Sequence, residues 1–247
     1  MNSNIEAIFL DVGNTLRIVI KNPEFQQKAL EQLYELVGAR EPMEKFYAGM
    51  EERWKTYRKR AKTMLVEDCE RDLWCKWLLP DYPAEKIAPL AGRLTRLWRD
   101  RDGIRVPRHD VKDTVIELDR RGYKLGIIAN TITETEIPDW MTTDGVTDYF
   151  KTVILSSKVG LRKPDPEIYW LAAREIGVEP AKCAYVGDNP VRDVEGTQAA
   201  GYGMMILIEE PDTIAKENAE DVVVKPDYTI TEIGQLLDIF PPREQHD

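Results

Sequence analysis

Residues 183–193 read C-A-Y-V-G-D-N-P-V-R-D, a short apolar run that leads into a glycine and two closely spaced aspartates. The apolar part is typical of a buried strand, and residues 191–200 form a predicted helix that ends at Gly201. A buried strand followed directly by a helix is the repeating unit of an α/β sheet. The stretch therefore predicts a strand whose carboxyl end carries two acidic side chains, Asp188 and Asp193.

The same alternation of strand and helix continues on both sides of this unit. Further strands are predicted at 5–10, 124–129, 152–155, 203–208 and 228–230, and further helices at 109–121, 134–142, 166–176 and 231–239. Strands that alternate with helices are joined by right-handed crossovers and lie parallel. We therefore predict an α/β fold with a doubly wound parallel sheet and a Rossmann-like layout.

The segment 17–105 interrupts this alternation, because no strand is evident in it. Prolines separate four predicted helices, which cover 24–37, 43–64, 68–78 and 84–100. The segment carries nineteen Lys and Arg against fifteen Asp and Glu, whereas the whole chain has a net charge of −10. We predict an all-helical cap domain at 17–105, inserted into a core domain formed by 1–16 and 106–247.

The composition of the chain excludes several classes of protein. Its 247 residues are 43% hydrophobic and 32% charged, which is typical of a globular chain rather than a disordered one. No apolar run reaches the length of a membrane span, and the negative net charge argues against nucleic acid bound through bulk charge. The first ten residues do not resemble a secretory signal. The three cysteines form no C-x-x-C pair, so we expect reduced thiols and a cytoplasmic protein.

Four charged side chains meet at one edge of the sheet if the strands that they follow are neighbours. Asp11 follows the first strand, Asp188 and Asp193 follow the strand at 183–186, and Lys163 follows the strand at 152–155. Crowded carboxylates need a compensating cation, and hard oxygen ligands favour Mg²⁺. A carboxylate beside Mg²⁺ can attack phosphorus to form an aspartyl-phosphate, and a lysine offsets the negative charge. The pattern therefore indicates Mg²⁺-dependent phosphoryl chemistry.

These motifs resemble the haloacid dehalogenase superfamily, specifically its phosphatase-like members with a helical, C1-type cap inserted after the first strand. The resemblance covers essentially the whole chain. It rests on Asp11 within F-L-D-V-G-N-T-L, on the run K-P-D-P at 163–166, and on Gly187 and Asp188 followed by Asp193. Each motif alone is a weak signal, and their order on predicted strand ends makes the combination specific.

The resemblance implies roles for individual residues. Asp11 is implied as the nucleophile, Lys163 as the charge-neutralising lysine, and Thr15 as a brace for the nucleophile loop. A magnesium site is implied at four positions: Asp11, the backbone carbonyl of Gly13, Asp188, and Asp193, the last directly or through water.

Two positions depart from the family pattern. Family phosphatases usually carry a second aspartate as general acid and base, and here that position is Gly13. General acid–base catalysis is typically worth about 10²–10⁴-fold, so we expect slow phosphoester turnover and a preference for good leaving groups. The family Ser or Thr that holds the phosphoryl group is replaced by Ala129, which Asn130 and Thr131 follow. Either Asn130 or Thr131 donates the missing hydrogen bond, or Asn130 is only a turn residue.

Three functions are compatible with these residues. The leading hypothesis is a Mg²⁺-dependent phosphatase that acts on a small phosphorylated metabolite, with no nucleic-acid or membrane partner. An alternative is a non-catalytic protein of the same fold that binds a phosphorylated ligand or a partner. A hydrolytic 2-haloacid dehalogenase ranks lower, because a metal-free dehalogenase does not need the acidic pair Asp188 and Asp193. The sequence indicates neither the substrate nor the oligomeric state.

Overall fold

The computed structural model describes residues 4–214 and 225–243. Within them the strands are β1 (Ala7–Leu10), β2 (Arg17–Ile20), β3 (Ile104–Pro107), β4 (Lys124–Ala129), β5 (Phe150–Leu155), β6 (Cys183–Gly187), β7 (Met204–Ile208) and β8 (Tyr228–Ile230). Six of them form one sheet in the order β5-β4-β1-β6-β7-β8, and all of its neighbouring strands are parallel. The predicted doubly wound parallel sheet is therefore confirmed.

Helices connect the strands and cover both faces of the sheet. They are α1 (Pro23–Val37), α2 (Met43–Met64), α3 (Glu70–Asp72), α4 (Ala84–Ile87), α5 (Ala91–Asp100), α6 (Val111–Arg120), α7 (Glu136–Asp144), α8 (Ser156–Val159), α9 (Pro166–Ile176), α10 (Arg192–Ala199), α11 (Pro211–Ile214) and α12 (Leu236–Ile239). None of the helices in 4–214 and 225–243 combines the length and apolarity needed to cross a bilayer.

Strand β1 lies in the middle of the sheet and is completely buried. Its side chains alternate between two apolar clusters, with Ile8 and Leu10 on one face of the sheet and Ala7 and Phe9 on the other, as the two-residue period of a strand requires. From β1 the chain builds β4 and β5 on one side and β6 to β8 on the other. The carboxyl end of β1 is therefore next to the point where the strand order reverses, where α/β sheets bind ligands.

The predicted cap helices are present, although the last two are broken into shorter pieces. Helix α1 begins after Asn22, whose side chain accepts a hydrogen bond from the Phe25 amide, and ends at Gly38 in a left-handed conformation. The predicted helix 68–78 changes from α3 to a π-helical segment at Leu73–Leu78. The predicted helix 84–100 is interrupted by a 3₁₀ turn at Ala88–Leu90, because Pro89 lacks the amide that an α-helix needs there.

The prediction that 17–105 contains no strand was wrong. β2 pairs with β3 as an antiparallel ribbon, in which Arg17 lies opposite Pro107 and Ile20 opposite Ile104. Both strands have only four residues and are half-buried or exposed, so their sequences lack the apolar run or strict alternation that marks a strand. The two strands of the ribbon lie at the start and at the end of the segment 17–105, so the ribbon connects this segment to the rest of the chain.

The cap helices share an apolar core of their own, which includes Leu33, Met50, Trp74 and Trp98. The two other clusters pack on the faces of the six-stranded sheet. Because every side chain of the cap cluster except Ile132 comes from 17–105, we propose the division into a cap at 17–105 and a core at 1–16 and 106–247. Residues 1–3, 215–224 and 244–247 of that core lie outside the described residues.

Candidate active site

Three neighbouring strands deliver polar side chains to one edge of the sheet. Asp11 follows β1, Asp188 follows β6 and Asn130 follows β4. Asp193, in the first turn of α10, joins them, so that carboxylate oxygens of Asp11, Asp188 and Asp193 lie within 4.8 Å of one another. All three aspartates are buried. The structure therefore brings together the acidic residues that the sequence placed at this edge.

Glycine at position 187 makes room for one of these carboxylates. A Cβ atom on Gly187 would lie 2.5 Å from Oδ2 of Asp193, so a larger residue would displace that side chain. The same oxygen accepts a hydrogen bond of 3.1 Å from the amide of Asn189. The G-D-N-P-V-R-D loop thus holds Asp193 through its backbone.

Lys163 is the buried cation of the cluster. Its Nζ lies 3.2 Å from Oδ2 of Asp11 and 3.0 Å from Oδ1 of Asp193, and its side chain has no exposed surface. Nζ also donates to the hydroxyl of Tyr185, which in turn donates to the carbonyl of Ile128 at 3.0 Å. Tyr185 could not be predicted as a site residue, because it lies within the apolar strand β6 and its sequence position gives no local sign of a contact with Lys163.

The side chain of Asn130 fixes the backbone of Lys163. Its Nδ2 donates to the Lys163 carbonyl at 3.0 Å, and its Oδ1 accepts from the Lys163 amide at 2.9 Å. This pair of hydrogen bonds places the lysine loop against the end of β4. Both observed contacts of the Asn130 side chain are to the protein backbone, so the phosphoryl hydrogen bond and the turn position both stay predictions.

Arg192 is a second cation at the cluster, and the sequence analysis missed it. Its Nη2 lies 3.0 Å from Oδ2 of Asp11 and 3.3 Å from Oδ1 of Asp188, and its Nε lies 3.1 Å from Oδ1 of Asp193. The side chain is 27% exposed. The available signal was a basic residue directly before Asp193, but its sequence position does not say that it turns back over the carboxylates.

Asp188 and Asp193 differ in how readily they ionise. Burial raises the pKa of Asp188 to about 6, and the negative charge of Asp11 adds to this increase. Burial also opposes ionisation of Asp193, but the charges and hydrogen bonds of Arg192 and Lys163 outweigh it and hold the pKa of that carboxyl at about 2. Asp193 therefore stays ionised at any pH at which the fold is expected to operate.

The donor set at this cluster fits a hard divalent cation. The three residues offer carboxylate oxygens, which are the ligands that Mg²⁺ prefers, and a guanidinium nitrogen already touches all three. Gly13, the proposed backbone ligand, lines the cavity beside them. Asp11, Asp188 and Asp193 could therefore hold a magnesium ion.

A cavity of about 520 Å³ opens above the cluster, between core and cap. Asp11, Asn130 and Thr131 line its core side, and Arg96 and Arg99 of α5 line its cap side. A cavity of this size suits a small molecule. The sequence showed an excess of basic residues in 17–105 but did not identify these two arginines as cavity residues.

Thr131 and Thr15 have different positions relative to the cavity. Thr131 lines it, and its hydroxyl oxygen accepts a hydrogen bond of 3.2 Å from the amide of Thr133. Thr15 is fully buried, and its hydroxyl has no hydrogen-bond partner among the residues that the structure describes. The Thr15 carbonyl accepts from Nε of Arg108 at 3.0 Å, so the observed contact of this loop residue is through its backbone.

Comparisons with known proteins agree with this geometry. Two curated phosphatases are similar over part of the chain. The chain is 32% identical to the glyceraldehyde 3-phosphate phosphatase of Methanopyrus kandleri over 136 residues, which are 54% of this chain and 56% of that enzyme. It is 36% identical to the phosphoserine phosphatase of Thermus thermophilus over 85 residues, which are 34% of each chain. The chain thus spans about half the length, or less, of these curated relatives.

A solved structure and a family model extend the comparison to most of the chain. The 2-haloacid dehalogenase of Pseudomonas syringae pv. tomato superposes with a TM-score of 0.66 at 22% identity, covering 95% of this chain and 97% of the other. At that identity the likeness shows a shared fold. The model of the haloacid dehalogenase-like hydrolases matches residues 5–201, a range that contains every residue of the acidic cluster. This chain belongs to the haloacid dehalogenase-like hydrolase family.

Proposed function

We propose that the protein is a Mg²⁺-dependent phosphatase that acts on a small phosphorylated metabolite through an aspartyl-phosphate on Asp11. One observation carries the proposal: Oδ2 of Asp11 lies within 3.2 Å of the buried ammonium of Lys163, at the floor of a cavity shared by core and cap. The curated phosphatases that resemble the chain at 32% and 36% identity support the same reaction class.

Asp11 is the proposed nucleophile. Its Oδ1 accepts a 2.8 Å hydrogen bond from the amide of Val12, which orients the carboxylate and leaves Oδ2 beside Lys163. In the first step an oxygen of Asp11 bonds to phosphorus, and the leaving group departs with the electron pair of its bond. In the second step water attacks the acyl phosphate, which releases phosphate and restores the carboxylate.

Lys163 and the end of β4 stabilise the transferred phosphoryl group in this proposal. The ammonium of Lys163 offsets charge on the phosphoryl oxygens, and its burial makes that attraction stronger than it is in water. One N–H of Asn130 donates to the Lys163 carbonyl, which leaves the other for a phosphoryl oxygen. The hydroxyl of Thr131 is a second donor at the cavity wall.

The metal would be held by Asp11, Asp188, Asp193 and the carbonyl of Gly13. Bound Mg²⁺ polarises the phosphoryl group and neutralises part of its charge. The protein's own part is to keep the carboxylates together: Thr213 donates to Asp188 at 2.5 Å, and the Asn189 amide donates to Asp193.

Phosphate release from a substrate panel tests the proposal. The panel contains acetyl phosphate, p-nitrophenyl phosphate, and common sugar and nucleoside monophosphates, each measured with Mg²⁺ and with EDTA. We expect release only with Mg²⁺, with acetyl phosphate fastest and alkyl phosphates slowest, because Gly13 cannot protonate a poor leaving group. Release that EDTA does not reduce would contradict the metal requirement, and equal rates for alkyl and acetyl phosphates would contradict the leaving-group preference.

The missing acid can be restored at position 13. A Cβ atom on Gly13 meets nothing within 4 Å, and the residue lines the cavity, so there is room at position 13 to begin the side chain of Gly13→Asp. We expect Gly13→Asp to raise kcat for a sugar phosphate by about 10²-fold, the low end of general acid–base catalysis, and to change acetyl phosphate turnover little. Steady-state phosphate release measures both.

Gly13→Asn is the matched control, because it has the same shape but no proton to transfer. An equal gain in both variants, or a gain in neither, would show that the absence of an acid at position 13 does not limit turnover.

The dehalogenase hypothesis has less support than the phosphatase hypothesis. Its support is the fold shared with the Pseudomonas enzyme, whereas a metal-free reaction does not need the buried acidic pair Asp188 and Asp193. Chloride release from a 2-haloacid in EDTA would reverse this ranking. Binding of a phosphorylated ligand without any turnover would instead favour the non-catalytic alternative.

A further inference from the structure

A single nitrogen of Arg192 contacts every carboxylate of the cluster. Nη2 lies 3.0 Å from Asp11, 3.3 Å from Asp188 and 3.2 Å from Oδ2 of Asp193. We propose that the Arg192 guanidinium and the divalent cation compete for the same three carboxylates, so that Arg192 is an internal cation that weakens metal binding. The inference rests on the magnesium site of the proposed function and adds a regulatory residue to it.

The guanidinium and the ion need the same oxygen atoms. Magnesium binds its oxygen ligands at roughly 2.0–2.1 Å, so an ion held by these three carboxylates would take the oxygens to which Nη2 now donates. The guanidinium must move away before the ion can bind. Arg192 therefore competes directly with the ion and does not act through long-range charge alone.

The charges lead to the same conclusion. Three ionised carboxylates face two cations, and Lys163 is wholly enclosed whereas Arg192 is 27% exposed. If a divalent ion replaces Arg192, the ion and Lys163 together balance the three negative charges. If Arg192 stays beside Lys163 and the ion, one positive charge is left in excess in a buried place, which is costly. Exchange is therefore favoured over addition.

Arg192 is also the cation that can leave. Its side chain lines the cavity, which gives the guanidinium a route away from the carboxylates. Its backbone is held, because the Arg192 amide donates to Oδ1 of Asn189 at 2.7 Å. The exchange thus needs a change of side-chain rotamer and no rearrangement of α10.

The expected change in the Kd for Mg²⁺ follows from the fraction of time that the Arg192 guanidinium contacts the carboxylates. If the guanidinium occupies the position for about nine-tenths of the time, the apparent Kd for metal is about tenfold weaker than the intrinsic Kd. We therefore expect Arg192→Gln to bind Mg²⁺ about tenfold more tightly than the unaltered protein, as measured by isothermal titration calorimetry after EDTA treatment and dialysis.

Arg96→Gln is the matched control for this titration. Arg96 also lines the cavity, but its partner is Asp139, at 2.5 Å. Its substitution removes the same charge from the same cavity without touching the cluster, so we expect an affinity close to that of the unaltered protein. An equal gain in both variants would overturn direct competition in favour of a general charge effect.

A second measurement follows Mg²⁺ binding in the unaltered protein itself. The Arg192 Nε–H donates to Oδ1 of Asp193 at 3.1 Å, and its resonance, assigned by its absence from Arg192→Lys, is followed by NMR during a Mg²⁺ titration. We expect it to shift with the same midpoint as the calorimetric binding curve. An unchanged resonance while Mg²⁺ binds would overturn the inference.

The outcomes separate the inference from the proposed function. Equal Mg²⁺ affinity of Arg192→Gln and the unaltered protein, together with Mg²⁺-dependent phosphate release, would overturn only the competition. Absence of Mg²⁺ binding in both proteins would overturn the competition and the metal requirement of the proposed function together.

Discussion

Replacement of Asp11 by asparagine is expected to lower kcat for acetyl phosphate by about 10⁴-fold or more, the scale on which enzymes lose rate when a covalent nucleophile is removed. Asparagine has nearly the same shape as aspartate and can still accept the Val12 amide hydrogen bond. It cannot supply an anionic oxygen to phosphorus, so the loss falls on the chemical step. Phosphate release in the presence of Mg²⁺ measures it.

Asp11→Asn is expected to remain folded, because two carboxylates then face the two cations Lys163 and Arg192. Asp113→Asn is the control, since Asp113 is an exposed acid on α6 and undergoes the same chemical change away from the cavity. We expect that variant to keep full activity. An Asp11→Asn enzyme that retained most of its kcat would rule out Asp11 as the nucleophile.

Replacement of Lys163 by methionine is expected to reduce both activity and stability. Nζ has no exposed surface and lies about 3 Å from the carboxylates of Asp11 and Asp193. Removal of one partner from a buried ion pair costs about 3–5 kcal/mol of unfolding free energy, because a buried charge loses its compensation. Loss of a preorganised group that stabilises transition-state charge lowers kcat by about 10²–10³-fold.

Chemical denaturation followed by circular dichroism measures the stability change of Lys163→Met, and kcat is measured under conditions in which the variant is folded. Lys158→Met is the control, because Lys158 is an exposed lysine on the neighbouring α8. A Lys163→Met protein as stable and active as the control would contradict both the structural and the catalytic role given to Lys163.

The convergence of the acidic residues could be predicted because it follows from topology. Parallel strands end at the same edge of a sheet, so acids placed directly after β1 and β6 must lie close together. The two-stranded ribbon could not be predicted in the same way. Its strands, Arg17–Ile20 and Ile104–Pro107, are far apart in sequence and meet only because the cap returns the chain to its starting point.

The contacts of Arg192 and Asn130 could not be predicted, because they depend on the direction in which each side chain points. Arg192 stands beside Asp193 in the sequence, but only the start of α10 determines that its guanidinium turns back to Asp11 and Asp188. For Asn130 the sequence left a phosphoryl contact and a turn position as alternatives. Its observed partner is the backbone of Lys163, a contact that depends on how a distant loop packs.

The most direct test of the proposed nucleophile is to quench the enzyme with acid during acetyl phosphate turnover and to identify phosphorylated peptides by mass spectrometry. We expect a phosphoryl group on Asp11 when Mg²⁺ is present, and none when EDTA is present or when Asp11 is replaced by Asn. Phosphate release without a phosphoryl group on Asp11 at any quench time, or with the group on another residue, would contradict it.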